Sequence, residues 1–112
     1  MSIKYDFTIK EGDTGPDLLV TLIDEDGDIV DISDYTSCKF RMADVYTNET
    51  KVDADATVVD ASNGSVKYVW TTSDTDTPGE YRGEFYVDFD GTEKITFPNN
   101  GYISIMIYRS SA

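Results

Sequence analysis

The chain has 112 residues, a formal net charge of −13, one cysteine and no histidine. This length suits one domain with its own hydrophobic core, so we expect a single domain over residues 1–112 with a frayed tail at 109–112. The absence of histidine excludes histidine-based catalysis, and a lone cysteine excludes an intrachain disulfide and a cysteine zinc site. Nine Lys and Arg residues against 22 acids do not make the basic patch that nucleic acid or an anionic membrane requires, so we expect neither partner.

The first two thirds of the chain consist of short strand patterns separated by turns. Apolar and polar residues alternate at 5–9, 38–42, 52–58 and 66–70, which is the pattern of half-buried strands. Residues 18–23 are apolar on both faces, as in a strand that is covered on both sides. A short return strand is predicted at 29–32. Cys38 shares an apolar face with Phe40 and Met42, so we interpret it as a small core residue rather than a nucleophile.

The last third carries the clearest strand pattern. Residues 81–89 alternate, with the apolar side chains on one face, and Tyr81 is a candidate corner tyrosine of a sandwich. Asp90-Gly91 is typical of a two-residue type I′ hairpin turn. Ile95 and Phe97 indicate the return strand, and residues 103–107 a last strand. About nine short strands and no helix of three turns predict an all-β protein, an immunoglobulin-like antiparallel β-sandwich of seven to nine strands.

Acidic loops are the candidate metal sites. Calcium binds oxygen ligands, and two such loops could supply them if they met at one end of the sandwich. The candidate carboxylates are those of Asp24, Asp26, Asp28, Asp74 and Asp76. The EF-hand spacing fails: with Asp24 counted as the first position, the sixth is Ile29 rather than Gly and the twelfth is Tyr35 rather than Glu. We therefore interpret both segments as acidic turns and expect no cofactor.

No catalytic residues are predicted. Glu80 and Glu84 lie on one face of the same strand, about 13 Å apart by strand rise, which is too far for either glycosidase geometry. The second face of the last strand is instead a candidate interface, because it is rich in tyrosine, an amphipathic residue that is enriched at protein interfaces. Its residues are Tyr102, Ser104, Met106 and Tyr108.

Four segments in order resemble a known phage family. They are EGDTGPDLLVTLIDEDGDIVDISDY at residues 11–35, ATVVDASNGSVKYVW at 56–70, DTDTPGEYRGEF at 74–85 and ITFPNNGY at 95–102. Together they resemble the phage baseplate upper protein N-terminal domain family, over roughly residues 7–107. The resemblance implies an immunoglobulin-like sandwich that serves as a structural module of a virus particle. It carries over no catalytic residues.

Several roles follow as expectations from this resemblance. The first is a non-enzymatic tail or baseplate protein that binds other virion proteins in a multicopy, symmetric assembly. The alternatives are a capsid decoration or head–tail accessory protein, and a calcium- or carbohydrate-binding adhesion module that contacts the host surface. We expect synthesis in the host cytoplasm, because Met1 to Asp6 has no apolar signal-peptide core. The chain stops after its last strand, so we expect no attached receptor-binding domain.

Overall fold

The computed structural model describes residues 5–90 and 93–110. These residues form nine strands and one short 3-10 turn at Ala61–Asn63. The strands are β1 (Phe7–Lys10), β2 (Leu18–Thr21), β3 (Tyr35–Asp44), β4 (Thr50–Asp55), β5 (Thr57–Asp60), β6 (Ser65–Tyr68), β7 (Gly79–Phe89), β8 (Lys94–Phe97) and β9 (Ile103–Tyr108). The prediction of an all-β sandwich is confirmed.

Two sheets of unequal size make the sandwich. The larger sheet has six strands in the order β1-β9-β7-β3-β4, with β8 also paired to β7, and the smaller has the order β2-β6-β5. The long strand β7 organises the larger sheet: β3 pairs along one side, while β9 and β8 lie end to end along the other. All these pairs are antiparallel except β1 with β9, which is parallel.

Aromatic rings from both sheets pack against one another in the core, among aliphatic side chains. Phe40 of β3 is fully buried, and its ring centre lies 4.7 Å from that of Tyr68 and 5.0 Å from that of Phe85. Trp70 follows β6 and packs edge-on to Phe40 at 5.8 Å. Tilted and edge-to-face ring pairs of this kind add to the free energy gained from burying apolar area. The predicted inward faces of β3 and β7 are confirmed, including buried Cys38.

Tyr81 is the corner tyrosine that the sequence indicated. Its hydroxyl donates to the backbone carbonyl of Thr77, four residues upstream, at 2.8 Å. The phenol ring is buried in the core and only its polar end reaches the backbone. The bond thus ties the loop before β7 to the strand that follows it.

Two predictions of strand pairing were wrong. The pattern at 52–58 is not one strand: β4 and β5 belong to different sheets, and Ala56 between them donates its N–H to the carbonyl of Cys38. The return strand predicted at 29–32 is a single bridge between Ile23 and Ile29. Both errors arise because alternation along a chain specifies which residues are extended but not which neighbour they pair with.

The hairpin between β7 and β8 also differs from its prediction. Gly91 lies outside the described residues, but the backbone N–H of Phe89 donates to the carbonyl of Glu93 at 2.9 Å. Asp88 pairs with Lys94 in the same register. Three residues therefore connect the paired positions, where a two-residue type I′ turn would pair Phe89 with residue 92.

Strand β2 is not covered on both sides as its sequence suggested. It is an edge strand of the smaller sheet, and β6 is its only strand partner among the described residues. Leu18 faces the core, whereas Leu19 is 62 % exposed and Ile23, just beyond the strand, 43 %. The apolar outer face of β2 is therefore open to solvent.

Gly64, just before β6 of the smaller sheet, packs closely against the backbone of Val30. It lies in the left-handed region at φ +63°, and a Cβ there would stand 2.5 Å from the carbonyl oxygen of Val30. Gly27 also has a positive φ, +85°, but a Cβ there would meet no atom within 4 Å. Both substitutions to alanine incur backbone strain, and only the one at Gly64 adds a clash with backbone.

We expect Gly64→Ala to lower the free energy of unfolding by about 2–4 kcal/mol, and Gly27→Ala by about 1 kcal/mol. Chemical denaturation of the two variants and the wild type measures both values. Equal losses in the two variants would show that the contact with Val30 does not constrain the fold.

Candidate interaction surfaces

The outer face of the larger sheet carries the predicted interface. Alternation along β7 and β9 sends Tyr81 and Ile105 into the core and places Glu80 and Met106, which are paired across the strands, on the outside. Ser104 lies on the same outer face. Its N–H donates to the carboxylate of Asp6 and its hydroxyl accepts the N–H of Asp6, both at 2.9 Å.

Two tyrosines, Tyr5 and Tyr46, bind Glu80 at one end of this face, and Tyr108 lies near Tyr5; we call these four residues the Glu80 cluster. Tyr5 donates its hydroxyl to Oε1 of Glu80 at 2.8 Å, and Tyr46 donates to Oε2 at 3.2 Å. Tyr108 is close enough to Tyr5 to act on it electrostatically. The hydrogen bond to the Glu80 carboxylate raises the pKa of Tyr5 to about 12, so this hydroxyl remains a donor at neutral pH.

The cluster combines tyrosine rings with one carboxylate, Glu80, whose two oxygens already accept hydrogen bonds from Tyr5 and Tyr46. Tyr46 is 78 % exposed and Tyr108 43 % exposed. Tyrosine rings held by hydrogen bonds lose less conformational freedom on binding than free ones, which favours their use in an interface. In the Glu80 cluster, Tyr5 and Tyr46 are held in this way by Glu80.

The predicted interface residues do not all lie together. Met106 is beside Glu80 and Tyr108 belongs to the Glu80 cluster, whereas Tyr102 precedes β9 and lines a groove with Leu19 and Pro98. Sequence reasoning missed Tyr5 and Glu80 as members. Their contact joins residues 75 positions apart, so no local pattern could have indicated it.

The middle of the same outer face is balanced in charge. The guanidinium carbon of Arg41 lies 4.9 Å from the ring centre of Tyr86, and Nη2 lies 3.7 Å from a carboxylate oxygen of Asp53. Tyr86 also donates its hydroxyl to Glu84 at 3.1 Å. Glu80 and Glu84 thus serve different tyrosines and do not form a paired acid and base.

Asp24, Asp26 and Asp28 form an exposed acidic hairpin. One carboxylate oxygen of Asp24 accepts the N–H groups of Asp26 and Asp28, both at 2.9 Å. One oxygen from each of the three carboxylates lies within 4.8 Å of the others. In the described residues this is the one such acidic group, and Asp74 and Asp76 are not part of it. The hydrogen bonds are those of an acidic turn.

Asp74 and Asp76 have separate structural roles. Asp74 is buried and accepts hydrogen bonds from the Tyr68 hydroxyl at 2.7 Å and the Thr71 N–H at 2.9 Å. Burial, together with the bond to Asp74, raises the pKa of Tyr68. Asp76 pairs with Lys51, and that bond lowers the pKa of the Asp76 carboxyl.

The Cys38 thiol is inert for a physical reason. Burial raises its pKa to about 11, so the thiolate that would act as a nucleophile is scarce at neutral pH.

A profile of the BppU N-terminal domain family, in which BppU is the baseplate upper protein, matches residues 2–103. The chain belongs to this family. The BppU N-terminal domain family is one of structural proteins of the phage baseplate, which agrees with the β-sandwich and associates the chain with the virion and its tail. No curated protein matches the chain. No helix in residues 5–90 and 93–110 is long and apolar enough to cross a membrane.

For this BppU N-terminal domain, the buried carboxylate at Asp74 generates a stability test. Asp74→Ala leaves a buried tyrosine hydroxyl and a backbone N–H without their acceptor, so we expect a loss of about 1–3 kcal/mol in the free energy of unfolding. Asp74→Asn keeps one acceptor oxygen and should lose less. Denaturant unfolding near pH 7 measures both variants, and a neutral Asp74→Ala would show that the hydrogen bonds contribute nothing.

The raised pKa of Tyr68 adds a pH dependence to the same test. The folded state holds the phenol proton more tightly than the unfolded state, whose tyrosines titrate near 10. The contribution of Tyr68 is thus fully present below pH 10 and is lost as the pH rises above it. Tyr68→Phe should unfold with a shallower pH dependence above pH 10 than the wild type.

Proposed function

We propose that the chain is a non-enzymatic structural component of a tailed-phage particle, and that it binds other virion proteins in the tail or baseplate. The observation that carries this proposal is the family match over residues 2–103. The fold agrees with a scaffold role, since the conspicuous buried side chains, such as Phe40 and Tyr81, pack the sandwich or secure its turns. Membership of a baseplate family favours the tail or baseplate over capsid decoration, a head–tail accessory role or host adhesion.

The contact surface that we propose is the outer face around the Glu80 cluster, extended along β9 by Ser104 and Met106. It offers two exposed tyrosines, Tyr46 and Tyr108, of which Tyr46 is hydrogen-bonded to Glu80, and an edge strand, β1. Symmetric particles present the same binding site several times, so we propose several copies per particle. Tyr102, also predicted as an interface residue, would contact a partner only at the margin of this surface, because it lines a separate groove.

Mass spectrometry of purified particles tests the proposed role. We expect peptides of this chain in particles banded by density, at a constant molar ratio to the major tail protein and at more than one copy per particle. Peptides found only in the unassembled fraction of the lysate would contradict a structural role.

A matched pair of tyrosine variants tests the proposed surface. Tyr108 in the Glu80 cluster and Tyr35 at the start of β3 are similarly exposed, at 43 % and 39 %. Truncation of a central interface tyrosine costs more than 1 kcal/mol, or about a fivefold loss of affinity. We expect Tyr108→Ala to enter particles about fivefold less than wild type in direct competition, and Tyr35→Ala to enter normally. Equal incorporation of the two variants would remove the Glu80 cluster from the contact.

A further inference from the structure

The outer face of the smaller sheet carries a second, different surface. Nine large hydrophobic side chains are exposed among the described residues, and they fall into two chemical classes. Four are tyrosines. The other five are aliphatic and belong to β2, β5, β6 or the residues that continue these strands: Leu19, Ile23, Ile29, Val59 and Val69. We call these five the aliphatic face.

Strand geometry explains why the aliphatic side chains share one face. Leu18 and Leu22 are buried, so Leu19 and Ile23 point the other way, and Ile29 is bridged to Ile23. Val69 stands between Tyr68 and Trp70, which are both buried, and so it also points outward. Exposed aliphatic groups gathered on one face of a small soluble domain typically mark a contact site.

A strongly acidic border surrounds the aliphatic face. The two segments that build it, residues 17–32 and 57–70, contain seven acids and one cation. The cation, Lys67, lies on the face itself, across from Leu19, and pairs with Asp17 at 3.5 Å. Asp24, Asp26 and Asp28 are exposed in the hairpin between Ile23 and Ile29, and Asp60 is exposed immediately after Val59.

The larger sheet differs in charge from this face. Its outward positions carry five of the eight described Lys and Arg residues, each facing polar or acidic neighbours across the strands: Lys10, Lys39, Arg41, Arg82 and Lys94. The seven acids and one cation of residues 17–32 and 57–70 give the aliphatic face and its border a net charge of −6 out of the total of −13.

We propose that the aliphatic face docks a second virion protein, distinct from this chain, whose contact surface has an apolar centre and a border of Lys and Arg. Charge complementarity determines the choice of partner. A second copy of this chain would bring two acidic borders together, and like charges across an interface are repulsive. An anionic lipid surface would be repelled in the same way. A basic border pairs with the acids while the aliphatic side chains lose their water.

The sequence of β2 supports the same conclusion. Leu18 to Ile23 is apolar on both faces, as in a strand covered on both sides, yet the fold covers only one. A docked partner would supply the missing cover. The inference rests on the proposed function, and it gives the chain two chemically different faces through which it would link two neighbours in the particle.

Two substitutions at one exposed position test the charge of the partner. Leu19→Glu and Leu19→Lys both remove the apolar contact, but only the lysine opposes a basic border. A lysine at residue 19 would also face Lys67 across the strands of the same chain, so a second position is needed to separate the two effects. Each variant is co-expressed with the wild-type chain in cells that assemble the particle, and variant-specific peptides are quantified in purified particles. Tyr35→Lys adds the same charge at an exposed position outside both proposed surfaces and serves as the control. The same pair of substitutions at Ile29 isolates the effect of the partner, because Ile29 adjoins Asp28 of the acidic hairpin, where the chain itself favours lysine over glutamate.

We expect Leu19→Glu to enter particles about tenfold less than wild type. Lysine should enter a further two- to fivefold less than glutamate at both positions, roughly the strength of exposed charge pairs, while Tyr35→Lys stays at the wild-type level. Lysine incorporated as well as or better than glutamate at Ile29 would overturn the proposal, since it would indicate an acidic partner such as a second copy. Wild-type incorporation of both Leu19 variants would show that the face stays uncovered. Absence of the wild-type chain from particles would instead refute the proposed function, and this inference with it.

Discussion

The contact between Phe40 and the backbone at Gly83 is the constraint on which the sandwich depends. A Cβ at Gly83 would stand 2.9 Å from the Phe40 ring and 2.8 Å from Ile105. The missing side chain on β7 is therefore the space into which both of these residues pack. With Phe40 seated there, its ring meets Tyr68 of the smaller sheet at 4.7 Å. One glycine on the central strand thus determines how closely the two sheets approach.

Because the core is formed by the inward residues, the outward residues of the two sheets can differ from each other in chemistry. Burial accounts for the inward residues of every long strand, so the outward residues are constrained mainly by solubility and by partners. On the larger sheet these residues form a balanced, tyrosine-bearing surface that ends in the Glu80 cluster. On the smaller sheet they form an aliphatic centre with an acidic border. Two unlike faces agree with the proposal that the chain links two neighbours, and the family match associates the chain with the phage baseplate.

Much of this architecture was predictable because it follows from period-two alternation. The inward residues of β3, β7 and β9 and the all-β class were evident in that pattern, whereas Tyr81 was a candidate corner tyrosine only by analogy with other sandwiches. Pairing was not, because it depends on contacts between distant residues. The switch of sheets at Ala56, the parallel pairing of β1 with β9 and the three-residue connection after Phe89 have no local signature.

The candidate surfaces were likewise predictable where they follow from alternation along one strand, and not where they depend on contacts between distant residues. The outward position of Met106 follows from alternation, but the cluster at Glu80 needs Tyr5 and Tyr46 from elsewhere in the chain. The exposure of Leu19 could not be inferred from a strand that is apolar on both faces, since such a pattern normally indicates cover by the same chain. That mismatch between sequence and exposure is the reason to look for a partner.

The most direct measurement is hydroxyl-radical footprinting of the chain as free protein and within purified particles. The central claim is that the particle covers both outer faces of the sandwich. We expect Leu19 and Ile29 on one face, and Tyr46 and Tyr108 on the other, to be modified several-fold less in particles, while Tyr35 is modified equally in both. Equal modification of all five residues in the two samples would contradict the claim, because it would mean that the chain exposes the same surface in the particle as it does alone.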